Sequence, residues 1–297
     1  MRAIGKASMR TTGKACIRTT GKACIRTTGE ACIRTTGRRP LEPRPRLELG
    51  TCGWWRYIMN WDNAVQESSL MINKIVQSME DAMSGIKDGA VVLLGGFGAV
   101  GQPNALIDGL IHQGAKDLTV ACNNAGVGHV GLARLMELGR VRKIVCSFPR
   151  SSDPVVFETL YRAGTIELEI VPQGTLAERM RAAGAGVPAF FTATGVGTKM
   201  AVGKEHREID GRTYILEHAL KGDIGLVEAW EADRWGNLTY KQAGRNFNPI
   251  VAMAADLTIV QSQHLRELGE IDPDHVVTPG IFVNRVLHVP YGDPSGF

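Results

Sequence analysis

Long hydrophobic runs are missing from this chain. Its longest apolar stretches, such as residues 90–94, are far too short to span a membrane, so no membrane partner is expected. Paired cysteines are missing too. Of six cysteines, Cys16, Cys24 and Cys32 belong to one repeated phrase, and Cys52, Cys122 and Cys146 stand alone. None forms a C-x-x-C and no histidine lies at zinc-ligand spacing from them, which leaves reduced, cytosolic thiols and no metal. At 297 residues the chain can bury one or two sizeable cores, so neither disulfide nor metal is needed to stabilise it.

A genuine excess of positive charge is also lacking, although the net charge is +4. Residues 1–48 hold twelve Lys/Arg against three Asp/Glu, and the remaining 249 residues hold 22 against 27. The globular part is therefore acidic, which removes the expectation of a nucleic-acid partner. Any anion site must be local.

What is present first is a tandem array. Arg-Thr-Thr-Gly-Lys-Ala-Cys-Ile recurs every eight residues, with glycines at Gly5, Gly13, Gly21, Gly29 and Gly37 and one Lys-to-Glu variant at Glu30. That period fits neither a heptad nor a solenoid repeat. A mitochondrial presequence, a nucleic-acid-binding arm and a segment translated from repetitive DNA upstream of the true start are the three readings. The third is preferred because folding signals begin abruptly at Met71. The expected organisation is a repetitive, disordered or non-native extension over 1–70, dispensable for folding and activity, and a single domain over 71–297.

From Met71, Ile72, Ile75, Val76, Met79, Met83 and Ile86 follow a three-and-four spacing that predicts a helix. Beyond them, mostly apolar segments at 90–94, 118–121, 143–147 and 166–171 alternate with helical segments near 104–113, 132–138, up to 163 and 176–183. Such a series predicts an α/β fold, a largely parallel sheet flanked by helices. Segments 207–209 and 213–216 flank Asp210-Gly211, a hairpin turn, and predict an antiparallel flap in the second half. Further strands are expected at 224–229, 238–240 and 257–261, and residues 184–198 as a packed loop. Ligands of open α/β sheets bind at the carboxyl ends of the strands. The loops there begin at Gly95, Asn123, Ser147 and Gln173.

Gly96-Phe97-Gly98-Ala99-Val100-Gly101 satisfies the G-x-G-x-x-G pattern of dinucleotide sites. The second strand, however, ends Ala121-Cys122-Asn123-Asn124, without the acidic residue that would hold a ribose, so a nicotinamide cofactor is not expected. The loop still offers unhindered backbone N–H groups beside a helix start, suited to a phosphate, carboxylate or developing oxyanion. Taken alone, a tight strand-to-helix turn that binds nothing is the less favoured reading. Asn123 and Asn124 could likewise merely form a turn, and Gln173 could hydrogen-bond the start of the helix at Leu176. Arg245 could bind a carboxylate or join a structural ion pair.

Asp88-Gly89 and the apolar run to Leu94, then Gly95-Gly96-Phe97, Gly101 and Pro103, resemble the first signature of the family I coenzyme A transferases. Asn123-Asn124-Ala125-Gly126, Pro172-Gln173-Gly174-Thr175-Leu176-Ala177-Glu178-Arg179 and Gly184-Ala185-Gly186-Val187-Pro188-Ala189-Phe190-Phe191 are similar to that family as well. So are Trp235-Gly236-Asn237-Leu238-Thr239-Tyr240 and Ala243-Gly244-Arg245-Asn246-Phe247, and the resemblance runs from about Met71 to Val289. It is to the A (alpha) subunits, and among them to the type that uses succinyl-CoA and 3-oxoadipate in bacterial aromatic degradation, the β-ketoadipate pathway. Subunits that use acetoacetate share the same motifs.

The resemblance implies a cytoplasmic transferase, a hetero-oligomer that moves coenzyme A between carboxylic acids through a glutamyl-CoA thioester. The glutamate of that family stands in a Ser-Glu-Asn-Gly motif of the B (beta) subunit, and no such motif occurs here. A B-subunit partner is therefore implied. Coenzyme A would enter as a thioester substrate and not as a permanently bound cofactor, with a 3-oxoacid as the other substrate. Asn123, Asn124 and Gln173 are implied at the thioester carbonyl or substrate carboxylate, and Gly95, Gly96, Phe97, Gly98 and Gly101 at the wall of the same pocket. A non-catalytic ligand-binding protein on the same scaffold is the alternative.

Overall fold

The computed structural model describes residues 72–290 and, before them, two short strands. These strands, β1 (Cys24–Ile25) and β2 (Ala31–Cys32), pair antiparallel within a unit spanning Met1–Gln66. The other expectations for residues 1–70, dispensability among them, lie outside the described residues.

The second unit, Glu67–Phe297, is built on one large sheet. It opens with β3 (Ile75–Val76) and a short helix α1 (Met79–Met83). The long helix expected from Met71 is thus corrected. Ile75 and Val76 pair with a neighbouring strand, and Ser78 caps α1 by accepting from the Asp81 amide at 3.0 Å. Two β-branched residues and a strong N-cap outweigh a spacing that both structures satisfy.

Next come β4 (Val91–Leu94), α2 (Asn104–Gln113), β5 (Leu118–Asn124), α3 (Leu132–Glu137), β6 (Val141–Phe148), α4 (Val155–Arg162), β7 (Glu167–Ile170) and α5 (Gln173–Gly184). The alternation agrees with the sequence, but β5 runs on through both asparagines and α5 begins at Gln173 itself. The expected packed loop contains a strand, β8 (Ala189–Thr192). It joins β9 (His206–Ile209) and β10 (Arg212–His218) in a three-stranded antiparallel sheet, the expected flap. Asp210 and Gly211 both take positive φ, 51° and 74°, as a type I′ turn requires.

The chain then returns to the large sheet with β11 (Gly222–Asp233), its antiparallel partner β12 (Leu238–Thr239), helix α6 (Asn248–Ala254), β13 (Ala255–Arg266) and β14 (Arg285–His288). Neither α6 nor β14 is expected from the sequence pattern. The strand order is β3-β14-β13-β11-β4-β5-β6-β7, with every pair along this path parallel. Successive residues of β4 face opposite ways. Val92 and Leu94 join α2, α3 and α4 in one core, while Leu93 joins α5 and α6 in the other. All carboxyl ends of β4, β5 and β6 therefore open on one edge, where the chain runs first outward to β7 and later to the other side through β11. Among the described residues no helix is long and apolar enough to cross a membrane.

Candidate active site

The loops after β4, β5, β6 and β7 meet over a cleft of about 580 Å³. The glycine loop contributes Phe97, Gly98 and Ala99, the end of β5 contributes Asn123 and Asn124, and α5 contributes Gln173. Ser147, Phe148, Ser151 and Ser152, leaving β6, close the fourth side. Residues 50 positions apart are thereby in direct contact: Gln173 Nε2 donates to Asn123 Oδ1 at 2.7 Å. The Ser147 hydroxyl reaches the same oxygen at 2.8 Å and the Asn123 carbonyl at 2.9 Å.

Two donors converging on Asn123 Oδ1 fix which end of the amide is oxygen, and they leave its Nδ2 to point elsewhere. Asn124 is oriented in the same sense, because its Oδ1 accepts from the Gly126 amide at 2.9 Å. Both side chains are almost fully buried at the protein level, 4 % and 7 % exposed, yet border the cleft. Among the described residues neither Nδ2 has an acceptor. Two amides with fixed Oδ1 ends and unused Nδ2 groups thus border the cleft, and no charged side chain is among its lining residues. Gln173 does not cap its own helix, whose Leu176 amide bonds instead to the Pro172 carbonyl at 2.8 Å.

The glycine loop divides into a tip and a base. Phe97 and Val100 exchange backbone hydrogen bonds of 3.0 and 3.1 Å, which lifts Phe97, Gly98 and Ala99 toward the cleft. Gly95, Gly96 and Gly101 lie at the base and are not brought to the cleft. The Gly95 amide bonds to the Leu226 carbonyl at 2.9 Å, and Gly96 and Gly101 are held by two asparagines from the second half of the chain, which sequence reasoning missed as site-forming. Asn246 Oδ1 accepts from the Gly96 amide at 3.0 Å, and its Nδ2 donates to the Val100 carbonyl at 3.0 Å. Asn248, fully buried, donates to the carbonyls of Gly101 and Gly244 at 2.9 and 2.8 Å and accepts from the Glu228 amide at 3.0 Å. The motif around Asn246 is visible in the sequence, but its partner lies 150 residues away. Gly95 has to be glycine here, because an added Cβ would fall 1.8 Å from Asn248 Oδ1.

Other groups near the site are inert. Cys122 and Cys146 are register partners on β5 and β6, both buried. Burial pushes the Cys146 thiol up to about 12 and raises that of Cys122 well above its ordinary value. This is the behaviour of buried small hydrophobes. Arg245 is exposed and makes no ion pair among the described residues. No cluster of metal-ligating side chains occurs among the described residues.

Comparison with known proteins agrees with this geometry. A family model described as "Coenzyme A transferase" matches residues 76–288. The chain is 60 % identical over 219 residues to the A subunit of 3-oxoadipate CoA-transferase from Pseudomonas putida, covering 74 % of this chain and 95 % of that protein. It is 48 % identical over 216 residues to the A subunit of a probable succinyl-CoA:3-ketoacid coenzyme A transferase from Bacillus subtilis, covering 73 % and 90 %. Among solved structures, glutaconate coenzyme A-transferase from Acidaminococcus fermentans shares the fold, with TM-score 0.65 at 22 % identity over 74 % of this chain and 76 % of that one. With the family model spanning nearly the whole described domain and these A-subunit relatives matched over nine-tenths of their length, the chain belongs to the family I coenzyme A transferases, among their A subunits.

Proposed function

We propose that this chain is the A subunit of a transferase that moves coenzyme A from succinyl-CoA to a 3-oxoacid, with 3-oxoadipate the preferred acceptor. The observation that carries the reading is the amide-lined, uncharged cleft held on a scaffold of transferase A-subunit type. Identity of 60 % to a 3-oxoadipate enzyme, against 48 % to a 3-ketoacid enzyme, favours 3-oxoadipate. The partner B subunit supplies the glutamate that attacks the thioester carbonyl and carries coenzyme A between two half-reactions.

This chain's own part is electrostatic. As the carbonyl becomes tetrahedral, its oxygen gains charge, and the unused Nδ2 groups of Asn123 and Asn124 donate to it. Gln173 and Ser147 keep Asn123 from rotating, so no reorganisation is needed at the moment of reaction. An amide stabilises the oxyanion without the full charge that would retain a carboxylate product. Phe97 and Phe148 border the same cleft.

The test is an assay of the full chain, by itself and co-expressed with a B subunit, using succinyl-CoA and either 3-oxoadipate or acetoacetate. Activity is expected only with the partner, and faster with 3-oxoadipate. In that complex Asn123→Ala is expected to lower kcat about a hundredfold or more. Folded, assembled protein that turns over neither acid would refute the reading, and unchanged kcat would remove Asn123 from the site.

A further inference from the structure

We infer that Arg150 reads the far carboxylate of a dicarboxylic acyl group, and so sets the preference of this site for 3-oxoadipate over acetoacetate; the inference rests on the function proposed above. The two acceptors share a carboxylate next to a 3-oxo group and differ at the other end. Acetoacetate ends there in a methyl group, 3-oxoadipate in a second carboxylate. The cleft that receives the reacting end has amides, hydroxyls and phenyl rings around it and nothing to balance that second charge. A lone carboxylate in such a place is costly unless a cation meets it.

The cleft-wall loop supplies a cation. Asn124 at the end of β5 is the register partner of Phe148 on β6, and Arg150 follows two residues later, between Phe148 and the lining residues Ser151 and Ser152. Adjacent strands are about 4.8 Å apart and two extended residues span about 7 Å, so a long arginine side chain reaches the cleft mouth from there. In the structure its Nε lies 3.1 Å from Glu158 Oε1, with the side chain 76 % exposed. Glu158 is already held by Arg162, whose guanidinium is 2.7 Å from Oε2 one turn along α4. Arg150 can leave without stranding an unpaired carboxylate, and an exposed ion pair of this kind costs little to break. The two arginines share that one carboxylate. The loop's own acid, Asp153, lies on the Gly128 side, where its Oδ2 would be 3.5 Å from a Cβ at that glycine. A guanidinium can take a carboxylate bidentately, which a point charge such as lysine cannot.

The experiment uses the assembled complex, preloaded with coenzyme A from acetoacetyl-CoA so that the donor is the same throughout. Discharge by 3-oxoadipate or by acetoacetate is then followed in single turnovers, and the ratio of the two second-order rate constants is the readout. Arg150→Ala and Arg150→Gln are expected to lower that ratio about tenfold to a hundredfold, the loss of one charged bidentate contact. Arg150→Lys should fall between them and the wild type. Arg162→Ala, which removes only the other partner of Glu158, should leave the ratio where it was. A ratio unchanged in Arg150→Ala and Arg150→Gln, in a wild type that prefers 3-oxoadipate, overturns this inference and spares the proposed function. A wild type that loads but shows no preference for 3-oxoadipate overturns the inference and the choice of acceptor together.

Discussion

The contact between Gly95 and Asn248 can be measured as a coupling energy. Gly95 has no unusual backbone angle, so alanine there is resisted only by what its Cβ would meet. The three nearest atoms, at 1.8, 2.6 and 3.3 Å, all belong to the Asn248 side-chain amide. To make room, that amide has to withdraw by more than about 1 Å, which is enough to break its bonds to Gly101, Gly244 and Glu228. Overpacking costs about 1–3 kcal/mol, and each buried group left unpaired costs about 1–3 kcal/mol more. Gly95→Ala should therefore destabilise the protein by about 3–5 kcal/mol in urea unfolding, once partial relaxation is allowed for. Asn248→Ala should cost a similar amount through the lost bonds alone. In the double variant the clash has gone and the bonds are already lost, so the second substitution should cost almost nothing. Independent sites add to within about 0.5 kcal/mol. Additive losses from Gly95→Ala and Asn248→Ala would show that the amide does not hold the base of the loop.

Two further predictions concern titrating groups. Burial alone would raise the Glu169 pKa, but hydrogen bonds from Lys143 and Arg179, at 2.6 and 2.8 Å, hold it below the ordinary carboxylate value. A depressed folded-state pKa contributes stability that is present above the unfolded-state value and lost as pH falls through the folded one. Glu169→Gln should therefore narrow the gap from wild type as the pH drops below about 4, in urea midpoints measured from neutral pH downward; a constant gap would contradict this. The thiols of Cys122 and Cys146, raised by burial, should resist iodoacetamide at about pH 8 in the native protein and react rapidly in guanidinium chloride. Rapid labelling of Cys122 or Cys146 in the native chain, located by peptide mapping, would show that the β5–β6 pair is open to solvent.

The central half of the domain is legible in the sequence because its strands are short and mostly apolar and alternate with helical segments. Residues 104–113 read as a helix with bounds that the structure reproduces, and the flap follows from Asp210-Gly211. The convergence of Asn123, Asn124 and Gln173 follows from a topological rule, strand ends sharing an edge, which needs no side-chain detail. Where the pattern is ambiguous, reading fails. Ile75 and Val76 satisfy a helical spacing as well as a strand, and only their pairing with Val286 and Leu287 decides between them. The roles of Asn246 and Asn248 are hidden for a different reason, since a hydrogen bond across 150 residues leaves no periodic trace. The same holds for the division of the glycine loop into tip and base, which depends on those bonds.

The clamp on the glycine loop has a bearing on biosynthesis. During translation β4, β5, β6 and β7 emerge in order and are neighbours, so each can pair as it leaves the ribosome. The other neighbour of β4 is β11, and the bonds that shape Gly96, Val100 and Gly101 come from Asn246 and Asn248. Loop closure over such a distance is slow compared with pairing of adjacent strands. A nascent chain would thus hold a half-sheet with Asn123, Ser147 and Gln173 in place while its glycine loop was still unformed. This chain's share of the site is finished only when its second half returns to the sheet, and an unfinished chain carries an open β4 edge that a chaperone, or another nascent chain, can bind.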